Sequence, residues 1–266
     1  SRRRKMETIE PALSRAFHSL GSSLLNYEQE DDNSSMEICA NWRRFRNFAL
    51  FQFTTKTMIT EQNKELDDQI REIKRRLRAA MNGVLSGSMR QSGIDYRVNF
   101  GVDQPRLAEI AAEIPHTYAL SATLWKDNIR EMRLLAAMTM PQEDFDEELA
   151  MLWVEQLRYA EEAQVLVLHL LQHRPYASSM AFRLVAADAV MPRLVGWLLL
   201  GRLFMANFRP TQRDADELLD HVCTELSAPD GDLGTKRAAL NMLYKFMDLG
   251  EAEAARGERL LKQLGL

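Results

Sequence analysis

The sequence predicts an all-α protein, a curved superhelical stack of HEAT-like antiparallel helix pairs. Three observations carry this expectation. From residue 60 onward, amphipathic segments succeed one another with apolar residues returning at helical spacing. Helix-breaking residues punctuate them at Pro141, Pro175, Pro192, Pro210, Pro229 with Gly231, and Gly250, intervals close to the length of a helix or a helix pair. No segment alternates apolar and polar residues long enough to demand a sheet. Each stripe buries one face only, so the helices must stack on one another.

Residues 1–57 read as an extension and residues 58–266 as the HEAT-like domain, because the composition changes at Met58. Acidic residues 28–32 and Ser34-Ser35 have little capacity to form a core. The one concentrated feature before Met58 is the run over residues 42–53, where Trp42, Phe45, Phe48, Phe51 and Phe53 interleave with Arg43, Arg44 and Arg46. Such a run can stack on bases, sit at a membrane interface, or pack its rings onto a domain.

Residues 60–82 form a helical pattern with Leu66, Ile70, Ile73, Leu77 and Ala80 on one stripe. Arg71, Lys74, Arg75, Arg76 and Arg78 make its second half basic, as a solvated face or one that contacts phosphate. Gly83, Ser86, Gly87 and Ser88 then break the chain. The segment over residues 98–140 organises the remainder of the chain. Gly101 and Pro105 close a turn, Asp103 caps, and Leu107, Ile110, Ala111 and Ile114 recur at helical spacing. Two amphipathic helices meet near residues 125–128. The second carries Ile129, Met132, Leu135, Ala136 and Met138 on its stripe, which leaves Lys126, Arg130, Glu131 and Arg133 off it. Further helices are expected at about 143–157, 160–174, 178–188, 193–207, 212–227, 233–248 and 251–264.

Composition excludes several classes. The formal net charge is -4, with 34 Lys and Arg against 38 Asp and Glu, so affinity for nucleic acid must come from charge segregated on one face. Cys39 and Cys223 fit no metal-ligand spacing, and a reduced, cytoplasmic monomer is expected. The longest apolar stretch, residues 194–205, is interrupted by Arg202 and is shorter than the roughly 20 residues that span a bilayer, so it is a core helix and no membrane partner is expected. No phosphate loop, dinucleotide glycine pattern, nucleophile elbow or His-Glu-x-x-His motif occurs, and no cofactor is expected. His169 and His173 share a helix face one turn apart, but no third ligand stands at a metal-site spacing.

Phe100-Gly101-Val102, Pro105-Arg106, and Leu124-Trp125 with Arg130-Glu131 after them resemble the N-terminal signature of the AlkD-type DNA alkylation-repair family. These are HEAT-like helical repeat proteins that include alkylpurine DNA glycosylases. The resemblance implies a basic concave face for duplex DNA, and a carboxylate that faces the cationic sugar as the base leaves, flanked by aromatic side chains. In the family a Trp-Trp-Asp-Thr-Val-Asp run opens one helix and a Trp-Leu-Arg-Arg run a later one. Here the first reads Tyr159-Ala160-Glu161-Glu162-Ala163-Gln164, and the second Met191-Pro192-Arg193-Leu194.

The family's catalytic Asp therefore reads Gln164, and its cleft tryptophans read Ala160 and Met191. Gln164 has no charge at any pH, so Glu161 and Glu162 are the remaining candidates for the carboxylate. Arg193, Lys236 and Arg237 stand at matching helix starts and are expected to contact DNA phosphates. Trp125, Trp153 and Trp197 lie on apolar stripes and are expected in the core. The expected function is duplex DNA binding by an alkylation repair-like HEAT protein that is weak or inactive as a glycosylase. The alternatives are a helical scaffold for a protein partner, and an active alkylpurine glycosylase using Glu161 or Glu162.

Overall fold

The computed structural model describes residues 60–266. The expected extension over residues 1–57, with its aromatic and basic run, lies outside them. Residues Lys64–Leu266 form a compact unit in which every regular element is a helix. The β-structure among the described residues is one isolated parallel bridge between Val98 and Ile129.

Residues 60–79 are helical (α1) and bury Ile73 and Leu77. The predicted break at Gly83 is instead a short helix, α2 (Gly83–Gln91). The Asn82 side chain accepts from the Leu85 N–H at 3.1 Å, which satisfies one orphan donor, and the buried Ser86 hydroxyl donates to the Asn99 carbonyl at 2.8 Å. Glycines raise the entropic cost of a helix without forbidding it, and here the cap and the docked serine outweigh that cost.

The segment after Gly101 obeys the sequence pattern. Asp103 accepts from the Arg106 N–H at 2.9 Å and starts α3 (Gln104–Glu113), with Pro105 in the first turn. Thr117 caps α4 (Tyr118–Lys126), and α5 (Arg130–Thr139) begins after a short turn. The remaining helices are α6 (Glu147–Glu155), α7 (Ala160–His169), α8 (Ala177–Val185), α9 (Val190–Met205), α10 (Gln212–Ser227), α11 (Leu233–Met247) and α12 (Glu251–Leu264), with a 3-10 turn at Leu171–His173.

Two rows result. Helices α5, α7, α9 and α11 pack on one another in succession, and α4, α8 and α10 pack against α5, α9 and α11. The first three helices of the continuous row begin at Arg130, Ala160 and Val190, a spacing of 30 residues and tighter than the roughly 40 of a typical HEAT unit. One core runs from Ile73 to Leu260. Its aromatic members include Trp125 and Trp153, stacked with ring centroids 4.1 Å apart, and Trp197, which is 1% exposed. None of the described helices is long and apolar enough to cross a membrane.

Helix α9 crosses α8 closely at Gly196. A Cβ on Gly196 would lie 2.7 Å from the Val185 backbone nitrogen, so nothing larger than hydrogen fits without moving a helix. Overpacking of a core typically costs about 1–3 kcal/mol. Gly196→Ala should lower the thermal midpoint by about 2–12 °C, as read by circular dichroism on the full chain. A midpoint unchanged by Gly196→Ala would show that this crossing does not limit stability.

Candidate nucleic-acid interface

The start of α5 departs from the sequence expectation. Arg130, Glu131 and Arg133 lie off the apolar stripe, yet they are only 1%, 0% and 3% exposed. They are buried because neighbouring elements supply partners. The Glu131 carboxylate accepts from three successive backbone N–H groups, Phe100 at 3.1 Å, Gly101 at 2.9 Å and Val102 at 3.3 Å, and from the Arg130 guanidinium at 2.8 Å. That turn requires its glycine: Gly101 has φ +70°, and a Cβ there would lie 2.2 Å from the Asn82 carbonyl oxygen.

The same arginines reach the next helix of the row. Arg130 grips Glu161 with two nitrogens, Nε to Oε2 at 2.7 Å, and also donates to the Val102 carbonyl at 2.8 Å. Arg133 grips Glu162 with Nε to Oε1 at 2.6 Å, donates to the carbonyls of Trp125 and Gln156, and stacks its guanidinium 4.1 Å from the Trp125 ring centre. Glu162 additionally accepts from the Tyr96 hydroxyl at 2.6 Å and the Arg158 N–H at 3.0 Å. Burial and the Glu162 carboxylate push the Tyr96 phenol well above its ordinary range, so it stays a proton donor. Burial pulls the Arg130 pKa down, but its bonds to Glu161 and Glu131 outweigh that and hold it above its ordinary value.

This placement bears directly on the candidate catalytic residues. Glu162 is 1% exposed and has its lone pairs occupied. Glu161 keeps a side-chain exposure of 19% but is held by Arg130. Gln164 is exposed, one turn further along α7, and Ala160 is exposed at its start. The half-buried His169 pKa is lowered by burial and then by the charge of His173, and the described residues contain no group of three or more side chains able to hold a metal ion.

The three expected DNA contacts lie in the N-terminal parts of α9 and α11, in different circumstances. Arg193 at the start of α9 donates from Nε to Glu225 at 3.0 Å and also to the carbonyls of Ala187 and Asp188 in the loop after α8. Glu225 also accepts from the Thr235 hydroxyl at 2.6 Å, so it ties the starts of α9 and α11 together. Lys236 donates to the Ala228 carbonyl after the end of α10, where a helix C-terminus favours a cation. Arg193 and Ala228 line one cleft. Arg237 is exposed and has no ion-pair partner among the described residues.

A second group of cations was not singled out as a site by the sequence. Lys74 and Arg78 on α1 and Arg97 in the turn before the bridge surround a cleft of about 370 Å³, floored by Val98, Phe100 and Ile129. Asp127 pairs with Lys74 at 2.9 Å, whereas Arg78 and Arg97 are exposed without a carboxylate partner among the described residues. Arg158 stands beside this cleft, bonded to the Asn128 side chain at 2.6 Å. The other arginines of α1 are compensated: Arg71 pairs with Asp68, Arg75 with Glu72, and Arg76 with Glu72 and Glu113. Only the register of α1 against the turn over residues 95–99 selects Arg78 and Arg97, and the one sequence signal was the basic second half of that helix.

The buried pairs make a stability prediction. Glu162→Ala leaves Arg133 in the core without its counter-charge, a change that typically costs about 3–5 kcal/mol. Denaturant unfolding should show that loss for Glu162→Ala and a smaller one for Glu161→Ala, whose partner has a second carboxylate in Glu131. Equal and small effects would mean that water reaches both pairs.

Comparison with known proteins agrees with the helical fold. No curated protein matches the chain. A solved structure described as representing a new family of proteins related to the HEAT-like repeat DNA glycosylases with affinity for branched DNA structures aligns with a TM-score of 0.64 and 16% identity, over 73% of this chain and 82% of that chain. At that identity the likeness establishes the fold. Residues 73–173, which hold the Glu131 turn, both buried arginines and Arg78 and Arg97, match the family model described as DNA alkylation repair enzyme. Over its described residues the protein is thus an all-helical HEAT-like repeat protein that resembles the DNA alkylation repair enzymes over the segment containing this network.

Proposed function

We propose that this protein binds DNA through backbone phosphates and excises alkylated bases poorly or not at all. One contrast carries the reading. Within the segment that matches the repair family, Glu131, Glu161 and Glu162 are spent on Arg130 and Arg133, while Arg78 and Arg97 face outward without compensation. Phosphate contacts need only such cations, and they supply most non-specific affinity. Excision needs a free carboxylate opposite the developing cation, and Gln164 cannot supply one. Arg237 is the third contact in this reading, further along the row.

The structural relative described by its affinity for branched DNA makes a four-way junction the natural companion to a plain duplex as substrate. Fluorescence anisotropy at several salt concentrations should show binding to one or both. Arg78→Ala/Arg97→Ala should weaken it and lower the salt slope by about two, since each phosphate contact contributes about 0.9. Arg71→Ala/Arg75→Ala should change little. If no DNA substrate binds at low salt, the DNA reading falls and a protein partner becomes the better reading.

Excision is tested by single-turnover release of 7-methylguanine from methylated duplex. A missing preorganised charge is worth on the order of 3 kcal/mol, or a hundredfold in rate. Wild-type release should therefore lie close to the spontaneous rate, and Gln164→Asp should raise it. Strong wild-type release that Glu161→Gln abolishes would reverse the conclusion and make Glu161 the catalytic carboxylate.

A further inference from the structure

A recess of about 390 Å³ lies between the neighbouring helices α9 and α11, remote in sequence from the basic cleft. Its wall includes Trp197, Gly201 and Met205 from α9, and Asn241 and Tyr244 from α11. Three observations set it apart from an ordinary crease between helices.

The first is Gly201. Glycine inside a helix is less stable than alanine, so it needs a reason. At Gly196 the reason is packing. At Gly201 a Cβ would meet nothing closer than Met242 at 3.8 Å, an ordinary contact, so packing does not require the glycine. What it preserves is open space in the recess. The second is Trp197, an aromatic side chain in the wall of the recess. The third is the rim. Tyr244 is 46% exposed and Met205 59% exposed, beside Arg202, which commits Nε to Gln172 at 2.8 Å, and Lys245, whose contact with Asp248 is a loose 3.6 Å.

Apolar and aromatic walls and two cations at the mouth complement a flat heteroaromatic ring joined to a phosphate. We propose that this recess takes one unstacked nucleotide, its base against Met205 and Tyr244, with Arg202 and Lys245 toward the phosphate. Stacking on an exposed aromatic side chain tolerates any base, because every base has a π-face. The nucleotide can come from a strand, as an unpaired residue of a bulge or junction, or be free in solution. In the strand case the inference rests on the DNA-binding reading.

The test uses the full chain and three labelled probes: a decamer of deoxythymidine, a plain duplex, and the same duplex with a one-nucleotide bulge. By anisotropy, wild type should bind the bulged duplex about tenfold more tightly than the plain one. Gly201→Leu, which fills the recess, should remove that preference and leave plain-duplex affinity within about twofold. Tyr244→Ala, at an exposed position, should reduce it, and circular dichroism checks that both variants are folded. A bulge preference that survives both substitutions overturns the proposal, as does its absence in wild type that binds plain duplex. If wild type binds no DNA, the DNA reading fails and the recess is judged alone. Thermal protection by deoxythymidine or deoxyadenosine monophosphate that disappears in Gly201→Leu then assigns it to a free nucleotide, and no protection by either overturns the proposal.

Discussion

Two guanidinium groups without access to water dictate much of this architecture. A buried charge is tolerated only when it is paired and hydrogen-bonded. Arg130 and Arg133 each project a rigid fork of donors, which suits bidentate carboxylates and stray carbonyls better than a lysine would. Their partners on other elements come from four places: the turn over residues 100–102, the last turn of α4, the end of α6, and the start of α7. Displacing any of these would strand a charge, so the arginines fix how the N-terminal segment meets the row. The residues that carry the family resemblance gain a physical meaning here. Phe100-Gly101-Val102 supplies the N–H groups, Glu131 receives them, and Gly101 lets the backbone pass Asn82.

The same device recurs further along the stack in a lighter form. Glu225 joins Arg193 to Thr235 as Glu161 and Glu162 join α7 to α5, so acidic side chains near the ends of the row hold successive repeats in register. The carboxylates are consumed as this happens. Cations that the ladder does not use, Arg78, Arg97 and Arg237, remain on the outside. A protein with a net charge of -4 can therefore still present a local positive field where the neighbouring acids, Glu72, Glu131, Glu161 and Glu162, are already paired with arginines.

The candidate site was only partly legible in the sequence. The loss of the family's charge at Gln164 could be read directly, because an amide stays neutral in any fold. The engagement of Glu161 and Glu162 could not, since their partners lie about 30 residues away. Arg193 and Lys236 do stand near helix starts, but the C-terminal end of α10, with the residues just beyond it, which occupies both, becomes their neighbour only when helices pack. Arg78 and Arg97 were invisible as a pair because 19 residues of chain and a helix separate them. The open space at Gly201 is likewise a property of two helices and not of one.

What the sequence determined by itself was local: helical periodicity, the Asp103 cap with Pro105 behind it, the positions of most helices, and the need for each apolar stripe to find a partner. These arise from short-range sterics, hydrogen bonding within a turn and the burial of apolar surface, all of which act over a few residues. The tertiary structure decided which charged residues are core and which are surface. Periodicity assigns Arg130, Glu131 and Arg133 to the wet side of a helix, and they are dry because other elements arrive with matching groups. It also decided that Asn82 and Ser86 could start a helix in a glycine-rich stretch, through a dock onto Asn99 that the local sequence does not contain. The energy of a charge depends on everything within several ångströms of it, and that neighbourhood exists only once the repeats have stacked.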